Sequence, residues 1–125
     1  MFEEKILYKE ISYKIIGLPM DVRNELGYGF LEKVYENALM ILLKESGIKA
    51  EQQVPVKVYF HNQIVGEYIA DILIENRIIL ELKSQDKVSD VRKSQTLNYL
   101  KATGLKLALL INFGKRKLEY ERLVL

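Results

Sequence analysis

Apolar residues recur every three or four positions along the first part of the chain, which is the spacing of one helical face. The first stripe comprises Leu7, Ile11, Ile15, Leu18, Val22 and Leu26. Gly17 and Pro19 interrupt it, and because proline removes a helical hydrogen bond, we expect a kink or a break there. Gly27-Tyr28-Gly29 indicates a chain reversal, and Gly47 is a suitable cap for the end of a second helix. The apolar stripe of that second helix comprises Leu31, Val34, Ala38, Leu39 and Leu42.

The pattern then changes to short segments rich in Val, Ile, Tyr and Phe, which are typical of strands. Ser89 can cap a third helix, which runs to about Thr103 and ends at Gly104. The order of elements predicts one α+β domain over residues 1–125, with a mixed sheet flanked by helices. Strands are predicted over residues 53–60, 64–74, 78–84, 107–112 and 119–124, with turns at 61–63 and 75–77.

Alternation along the second and third strands predicts which side chains share a face. Glu81 and Lys83 lie on one face of their strand, and Leu80 and Leu82 lie on the other. The even-numbered apolar residues of the two strands can pair across the hairpin, which fixes the register. A turn centred on Asn76 then places Asp71 opposite Glu81. The even-numbered residues are Tyr68, Ala70, Ile72, Ile74, Ile78, Leu80 and Leu82.

Two opposed carboxylates repel each other and favour a cation between them. Oxygen ligands without cysteine or a nearby histidine suit a hard ion such as Mg²⁺ or Mn²⁺. Lys83, two residues beyond Glu81, can hold a phosphate oxygen or orient the attacking water. The alternative is that Asp71, Glu81 and Lys83 decorate the solvent face of an antiparallel hairpin, where Lys83 only neutralises Glu81.

Other candidate residues also allow two interpretations. Glu32 is either a third carboxylate of the site or, if Gly29 is the N-cap, a capping residue at the third helical position. Gln95 and Tyr99 share a helical face, although a tyrosine at this spacing is also typical of a core. His61 lies in a turn, where we expect it to be solvated. A set of basic residues forms either a nucleic-acid contact or a solvated face: Arg92, Lys93, Lys101, Lys115, Arg116 and Lys117.

Composition narrows the class of protein. The chain has 125 residues, 49% of them apolar and 29% charged, with a net charge of +2. This balance supports one hydrophobic core and is too weakly basic to indicate nucleic-acid binding by itself. The absence of cysteine excludes disulfides and thiolate metal sites. With no membrane span and no signal peptide in the sequence, we expect a cytoplasmic protein.

The ordered motifs together resemble those of the GxxExxY family, a branch of the PD-(D/E)xK nuclease superfamily. The resemblance covers roughly residues 5–124. It is carried by Gly29-Phe30-Leu31-Glu32-Lys33-Val34-Tyr35, Gly66-Glu67-Tyr68, Ala70-Asp71, Glu81-Leu82-Lys83, Gln95-Thr96-Leu97-Asn98-Tyr99-Leu100 and Leu110-Ile111-Asn112-Phe113-Gly114.

The resemblance implies a restriction-endonuclease-like αβββαβ core and metal-dependent hydrolysis of phosphodiester bonds, with Mg²⁺ or Mn²⁺ as the cofactor. It implies metal binding by Asp71, Glu81 and Glu32, and leaves the role of Glu67 open. The catalytic set that it implies is Asp71, Glu81, Lys83, Glu32, Gln95 and Tyr99.

The chain also departs from the family pattern. Arg23 and Arg92 stand where histidines are frequent, Ile69 where an arginine is frequent, and Tyr28 where a proline is common. None of these changes removes a core acid.

We expect nucleic acid as the partner, DNA ahead of RNA, with no membrane and with a second copy or another protein as a further partner. The rival hypothesis is a non-catalytic module for nucleic-acid binding or protein interaction that retains the nuclease fold.

Overall fold

The helices and strands of the computed structural model follow the predicted order. The structure describes residues 2–84, 90–114 and 117–125, without the side chains of residues 2–8 and Asp90. The predicted cap Ser89 and the basic residues Lys115 and Arg116 lie outside the described residues. The elements are α1 (Phe2–Leu26), α2 (Glu32–Glu45), β1 (Ala50–Phe60), β2 (Gln63–Ile74), β3 (Ile78–Lys83), α3 (Asp90–Thr103), β4 (Leu107–Asn112) and β5 (Glu119–Val124).

The five strands form one mixed sheet in the order β1-β2-β3-β4-β5. The pairs β1–β2, β2–β3 and β4–β5 are antiparallel, whereas β3 and β4 are parallel. A parallel pair needs a crossover connection, and α3 lies in that connection between β3 and β4. The α+β architecture with a mixed sheet flanked by helices is therefore confirmed.

Apolar side chains cover the sheet on both sides. On one side, Ile15 and Leu39 of the first two helices pack against Leu80 and Leu109. On the other side, Leu100 of α3 packs with Ile79, Ala108 and others. All six residues of β3 are buried as a result, Glu81 and Lys83 included. The alternative in which these two residues lie on a solvated sheet face is therefore wrong, because α3 covers that face.

Helix α1 continues through Pro19, so of the predicted kink or break, the break does not occur. The missing hydrogen bond and the ring clash cost about 3 kcal/mol inside a helix. Ile15 and Val22, on either side of Pro19, are 0% and 2% exposed. Burying an aliphatic side chain of this size contributes about 1.5–3 kcal/mol, so the two together outweigh the loss. Within the described residues, no helix combines the length and the hydropathy that a membrane crossing requires.

The predicted register of the β2–β3 hairpin is confirmed, with Ile72 opposite Leu80 and Ile74 opposite Ile78. The turn between the strands has two residues in the left-handed region, Glu75 at φ +53° and Asn76 at φ +55°. Such a turn matches the right-handed twist of the strands that it joins. Regular pairing of β2 with β3 ends at the Ile72–Leu80 pair, one residue before Asp71 and Glu81.

The predicted common face of the even-numbered residues in β2 is wrong. Ile72 and Ile74 pack on the side of α1 and α2, whereas Tyr68 and Ala70 pack on the side of α3. The change of face occurs at Asp71, opposite a residue of β1, Gln53, whose φ is +53°. A left-handed residue reverses the alternation of its own strand, β1, and β2, which is paired with β1 on either side of Gln53, changes face at the same place. The pattern of apolar residues alone does not reveal this change.

Candidate active site

Asp71 and Glu81 meet where β2 and β3 separate. The backbone N–H of Asp71 donates to Glu81 Oε1 at 3.0 Å, and the N–H of Leu82 donates to Asp71 Oδ2 at 2.7 Å. The two carboxylates thus satisfy backbone groups that the interrupted ladder would leave unpaired. Within the described residues, the second oxygen of each carboxylate makes no hydrogen bond.

The electrostatics of this pair favour protonation in the protein alone. Burial, followed by the negative charge of Asp71, raises the pKa of Glu81 to about 8. Burial also raises the pKa of Asp71, and the charges of Glu36 and Glu32 contribute to the increase. The positive charge of Lys83 lowers the pKa of both acids. Two partly desolvated carboxylates that resist ionisation form a site where a cation would be strongly favoured.

Lys83 is the last residue of β3 and lies opposite Asn112 of the parallel strand β4. The residue as a whole is 5% exposed. Its amino group makes no hydrogen bond or ion pair within the described part of the chain. A lysine held by its neighbours without a direct ionic partner keeps its donors available for a ligand.

The structure places Glu32 differently from the capping hypothesis. The N-cap of α2 is Leu31, which makes no side-chain cap, and Glu32 is the first helical residue. Glu32 Oε1 accepts a hydrogen bond from the backbone N–H of Ser84 at 3.3 Å. Glu32 therefore connects the start of α2 with the residue that follows Lys83, and it lies in the same cleft as Asp71.

Tyr35 holds the loop that leads into Glu32. The tyrosine is fully buried, and its hydroxyl donates to the carbonyl of Gly27 at 2.8 Å and accepts from the N–H of Phe30 at 3.4 Å. Its ring stacks on Phe113 with a centroid distance of 4.4 Å. The loop also needs glycine, because Gly27 and Gly29 have φ values of +75° and +103°.

Helix α3 brings two further predicted residues to the opposite side of the carboxylate pair. Gln95 Nε2 donates to the Tyr99 hydroxyl at 2.9 Å. Burial and the charges of Glu81 and Asp71 raise the pKa of Tyr99 to about 12, so that its hydroxyl stays protonated. Arg92 also acts on Glu81 and lowers its pKa.

Glu36 is the residue that the sequence analysis missed. It follows Glu32 by one helical turn, and its side chain is 6% exposed. Its carboxylate accepts hydrogen bonds from Lys33, Gln52 and Gln53. The spacing of four residues from Glu32 was a signal for a second acid on the same face of the helix.

Several predicted residues lie away from this constellation. Glu67 is exposed and lies opposite Lys57 of β1, and Ile69 is 55% exposed opposite Pro55. His61 is exposed in the β1–β2 turn, as expected. Among the basic residues, Lys93 forms an ion pair with Glu121 at 2.9 Å and is therefore engaged within the protein.

Arg23, which stands at a departure from the family pattern, has a structural contact. It donates to the backbone carbonyls of Phe113 and Gly114 at 3.3 Å each, and its guanidinium lies 4.7 Å from the ring centre of Tyr28. Arg23 therefore joins the end of α1 to the segment that follows β4.

Asp71, but not Glu81, lines a cleft of about 490 Å³. Its walls include Phe30, Leu31, Glu32, Glu36, Asp71 and Ser84. Within the described residues, no three acidic or histidine side chains are close enough to enclose an ion by themselves. Mg²⁺, however, is commonly held by one or two carboxylates together with water and phosphate oxygens. The unengaged oxygens of Asp71 and Glu81 fit that smaller set of ligands.

The mixed sheet flanked by helices, the acids Asp71 and Glu81, and Lys83 two residues after Glu81 define a restriction-endonuclease-like domain. The sequence profile of the PD-(D/E)XK nuclease superfamily matches residues 9–123, and the chain therefore belongs to this superfamily.

Comparison with solved structures agrees at the level of the fold. The chain is similar to the crystal structure of SSO0001, with a TM-score of 0.58 and 18% sequence identity. The match covers 74% of this chain and 50% of that protein, so the chain corresponds to half of its length. No curated protein matches the chain.

The raised pKa of Glu81 predicts how stability changes with pH in the absence of metal. Because the folded state binds this proton more tightly than the unfolded state, the contribution is complete below pH 4.5 and is lost as pH rises to about 8. We expect the melting temperature in chelator to fall by several degrees over this range. In Glu81→Gln the fall should be much smaller, and equal slopes for the two proteins would contradict the assignment.

Proposed function

We propose that this chain hydrolyses phosphodiester bonds in nucleic acid, with a Mg²⁺ or Mn²⁺ ion held by Asp71 and Glu81. The observation that carries this proposal is the geometry at the end of the β2–β3 ladder. One oxygen of each acid is fixed by a backbone N–H, and the other oxygen is left for a ligand. A divalent ion in such a site supplies stabilisation of phosphate charge and lowers the pKa of an attacking water.

Within this proposal, the backbone orients the two acids. The N–H groups of Asp71 and Leu82 hold one oxygen of each carboxylate, so neither side chain has to reorganise when a cation or a substrate arrives. The burial that raises both pKa values also excludes water, which strengthens any charge interaction in the site.

Lys83 would contact the reacting phosphate. Its amino group lacks a direct ionic partner among the described residues, while its charge already acts on both acids. A fixed positive charge beside a phosphodiester stabilises the negative charge that develops on its oxygens. Lys83 is therefore proposed to bind a phosphate oxygen and to orient the attacking water.

The remaining predicted residues would complete the two sides of the site. Glu32, from α2, would act through the water molecules around the cation, since it lies in the cleft without closing a three-residue cluster. Gln95 and Tyr99, from α3, would act as hydrogen-bond donors, because the raised pKa of Tyr99 keeps its proton in place. Assignment to the GxxExxY branch is proposed on the joint roles of Glu32 and Tyr35 at the start of α2.

A panel of DNA and RNA substrates, single- and double-stranded, tests the proposed activity. We expect cleavage that requires Mg²⁺ or Mn²⁺ and stops in chelator, and we expect Glu81→Ala to abolish it. Cleavage that persists in purified Glu81→Ala would mean that another site or a contaminant is responsible. Binding of the same substrates without any metal-dependent turnover would favour the non-catalytic module.

Lys83 provides a second test. Removal of its amino group should lower kcat by about a hundredfold, as removal of a single transition-state donor does. Lys83→Met keeps most of the buried stem, and Lys83→Ala removes it, so similar losses in both would locate the effect in the amino group. Lys83→Arg should recover little, because a guanidinium differs in shape and hydration.

Lys57→Ala is the matched control for Lys83, because Lys57 is exposed on β1. Its cleavage rate should equal that of the parent. Parent-like turnover in Lys83→Met would reduce Lys83 to a residue that only balances charge.

The metal site can be tested without knowing the substrate. A cation bound only by the folded protein adds about 2.7 kcal/mol of stability at a hundredfold excess over Kd, which raises the melting temperature by several degrees. Asp71→Asn keeps an acceptor for the N–H of Leu82 but removes the repulsion and a charged ligand. We expect this variant to melt at or above the parent in chelator and to gain little when Mn²⁺ is added.

Asp21→Asn, a change of the same chemistry on the exposed surface of α1, should respond to Mn²⁺ as the parent does. If millimolar Mn²⁺ leaves the melting temperature of the parent unchanged, Asp71 and Glu81 do not form a competent cation site.

A further inference from the structure

Glu36 is a buried acid whose hydrogen-bonding capacity is already used within the protein. Its Oε2 accepts from Lys33 Nζ at 2.9 Å and from Gln52 Nε2 at 2.6 Å. Its Oε1 accepts from Gln53 Nε2 at 3.0 Å. A carboxylate engaged on both oxygens is a poor candidate for a further ligand.

Glu32, one turn earlier, differs in this respect. Its Oε1 accepts a single long bond from Ser84, and its Oε2 makes no hydrogen bond within the described residues. Both acids line the cleft, but Glu32 keeps an oxygen without a hydrogen bond among the described residues, whereas both oxygens of Glu36 are engaged, two of the three bonds with β1. This engagement with β1 indicates a role in holding the strand.

The strand residue that Glu36 holds has an unusual backbone. Gln53 has φ +53°, inside β1. The other non-glycine residues with positive φ in the described chain lie in the two hairpin turns: His61, Asn62, Glu75 and Asn76. The left-handed region is unfavourable for a residue with a Cβ, and it persists in a strand only where the surroundings fix it.

The position of Gln53 connects this conformation to the site. Gln52 pairs with Ile72 and Val54 with Ala70, which puts Gln53 opposite Asp71 at a gap in the β1–β2 register. It is also the place where β2 changes face, with Ile72 packed towards α1 and α2 and Ala70 packed towards α3. The orientation of the Asp71 backbone is therefore set directly across from Gln53, the residue that is hydrogen-bonded to Glu36.

We infer that Glu36 and Gln53 are positioning residues for Asp71, and that Glu36 is not a metal ligand. Glu36 stabilises the left-handed conformation of Gln53. That conformation determines where the paired strand β2 changes face, and the change of face points the Asp71 N–H towards Glu81. This inference rests on the proposed nuclease function for its effect on catalysis, but its structural part stands on the geometry of the hairpin alone.

Two substitutions should disturb this arrangement in different ways. In Glu36→Gln, the single amide oxygen is drawn to Lys33 and Gln52, which leaves an NH₂ group facing the Gln53 donor. In Gln53→Val, a β-branched side chain resists positive φ directly. Because small displacements of catalytic groups are costly, we expect kcat to fall by about a hundredfold in each, with a smaller change in KM.

A glycine at position 53 tests whether Glu36 acts by positioning Gln53 or in some other way. Glycine reaches positive φ without a steric penalty, so it does not depend on Glu36 to do so. The double variant Glu36→Gln/Gln53→Gly should therefore recover much of the activity that Glu36→Gln loses. Asn62→Val is the matched control for strain, since it places the same β-branched residue at φ +61° in the distant β1–β2 turn and should leave kcat unchanged. Failure of glycine to rescue would mean that Glu36 acts as a ligand or through its charge, which would overturn the inference.

Hydrogen exchange provides a readout that needs no substrate. The Asp71 amide is bonded to Glu81, so its protection reports on the arrangement directly. In Glu36→Gln this protection should fall by about tenfold or more while the amides of β4 keep theirs, and Gln53→Gly should restore it. Unchanged protection of Asp71 in Glu36→Gln would overturn the inference. This exchange pattern in a protein that cleaves nothing would refute the nuclease proposal and leave the positioning role intact.

Discussion

The site depends on the point at which β2 and β3 stop pairing. After the Ile72–Leu80 pair, the two strands no longer exchange backbone hydrogen bonds, and the carboxylates of Asp71 and Glu81 take over that task. These hydrogen bonds explain how a buried acid, Glu81, and a half-buried acid, Asp71, can occupy neighbouring positions in the sheet. Each stabilises a backbone donor that would otherwise be unpaired, and unpaired buried donors cost about 1–3 kcal/mol.

The same arrangement has an electrostatic cost that indicates function. A strand buried on both faces would be more stable with aliphatic residues at the positions of Glu81 and Lys83, because charges lose hydration when they are buried. The raised pKa values of Asp71 and Glu81 show that the protein alone does not compensate this loss. Sites that retain such groups are typically those where a ligand supplies the missing charge. The nuclease superfamily to which the chain belongs is consistent with a cation and a phosphate in that role.

Much of this arrangement could be predicted from local rules. The turn at Asn76 and the apolar residues next to it predicted the register of β2 against β3 up to the Ile72–Leu80 pair, and that register brings Asp71 towards Glu81. The left-handed conformation of Gln53 could not be predicted, because nothing about a glutamine in a strand indicates positive φ. The spacing of Glu36 from Glu32 was a signal for a second acid, but its hydrogen bonds to Gln52 and Gln53 could not be predicted, because tertiary packing brings these residues together. Pro19 shows the converse case, in which a correct local rule for breaking a helix was outweighed by burial on both sides.

The proposed cation site can be tested by the anomalous diffraction of Mn²⁺ in crystals of the protein, measured at a pH above 8 so that Glu81 is ionised. We expect an anomalous peak at about 2.0–2.1 Å from the unengaged oxygens of Asp71 and Glu81, which is the distance of Mg²⁺ from its oxygen ligands. The peak should be absent from crystals of Asp71→Asn. A parent crystal at saturating Mn²⁺ with no peak between these two carboxylates, or with peaks only elsewhere on the surface, would show that Asp71 and Glu81 do not bind the ion.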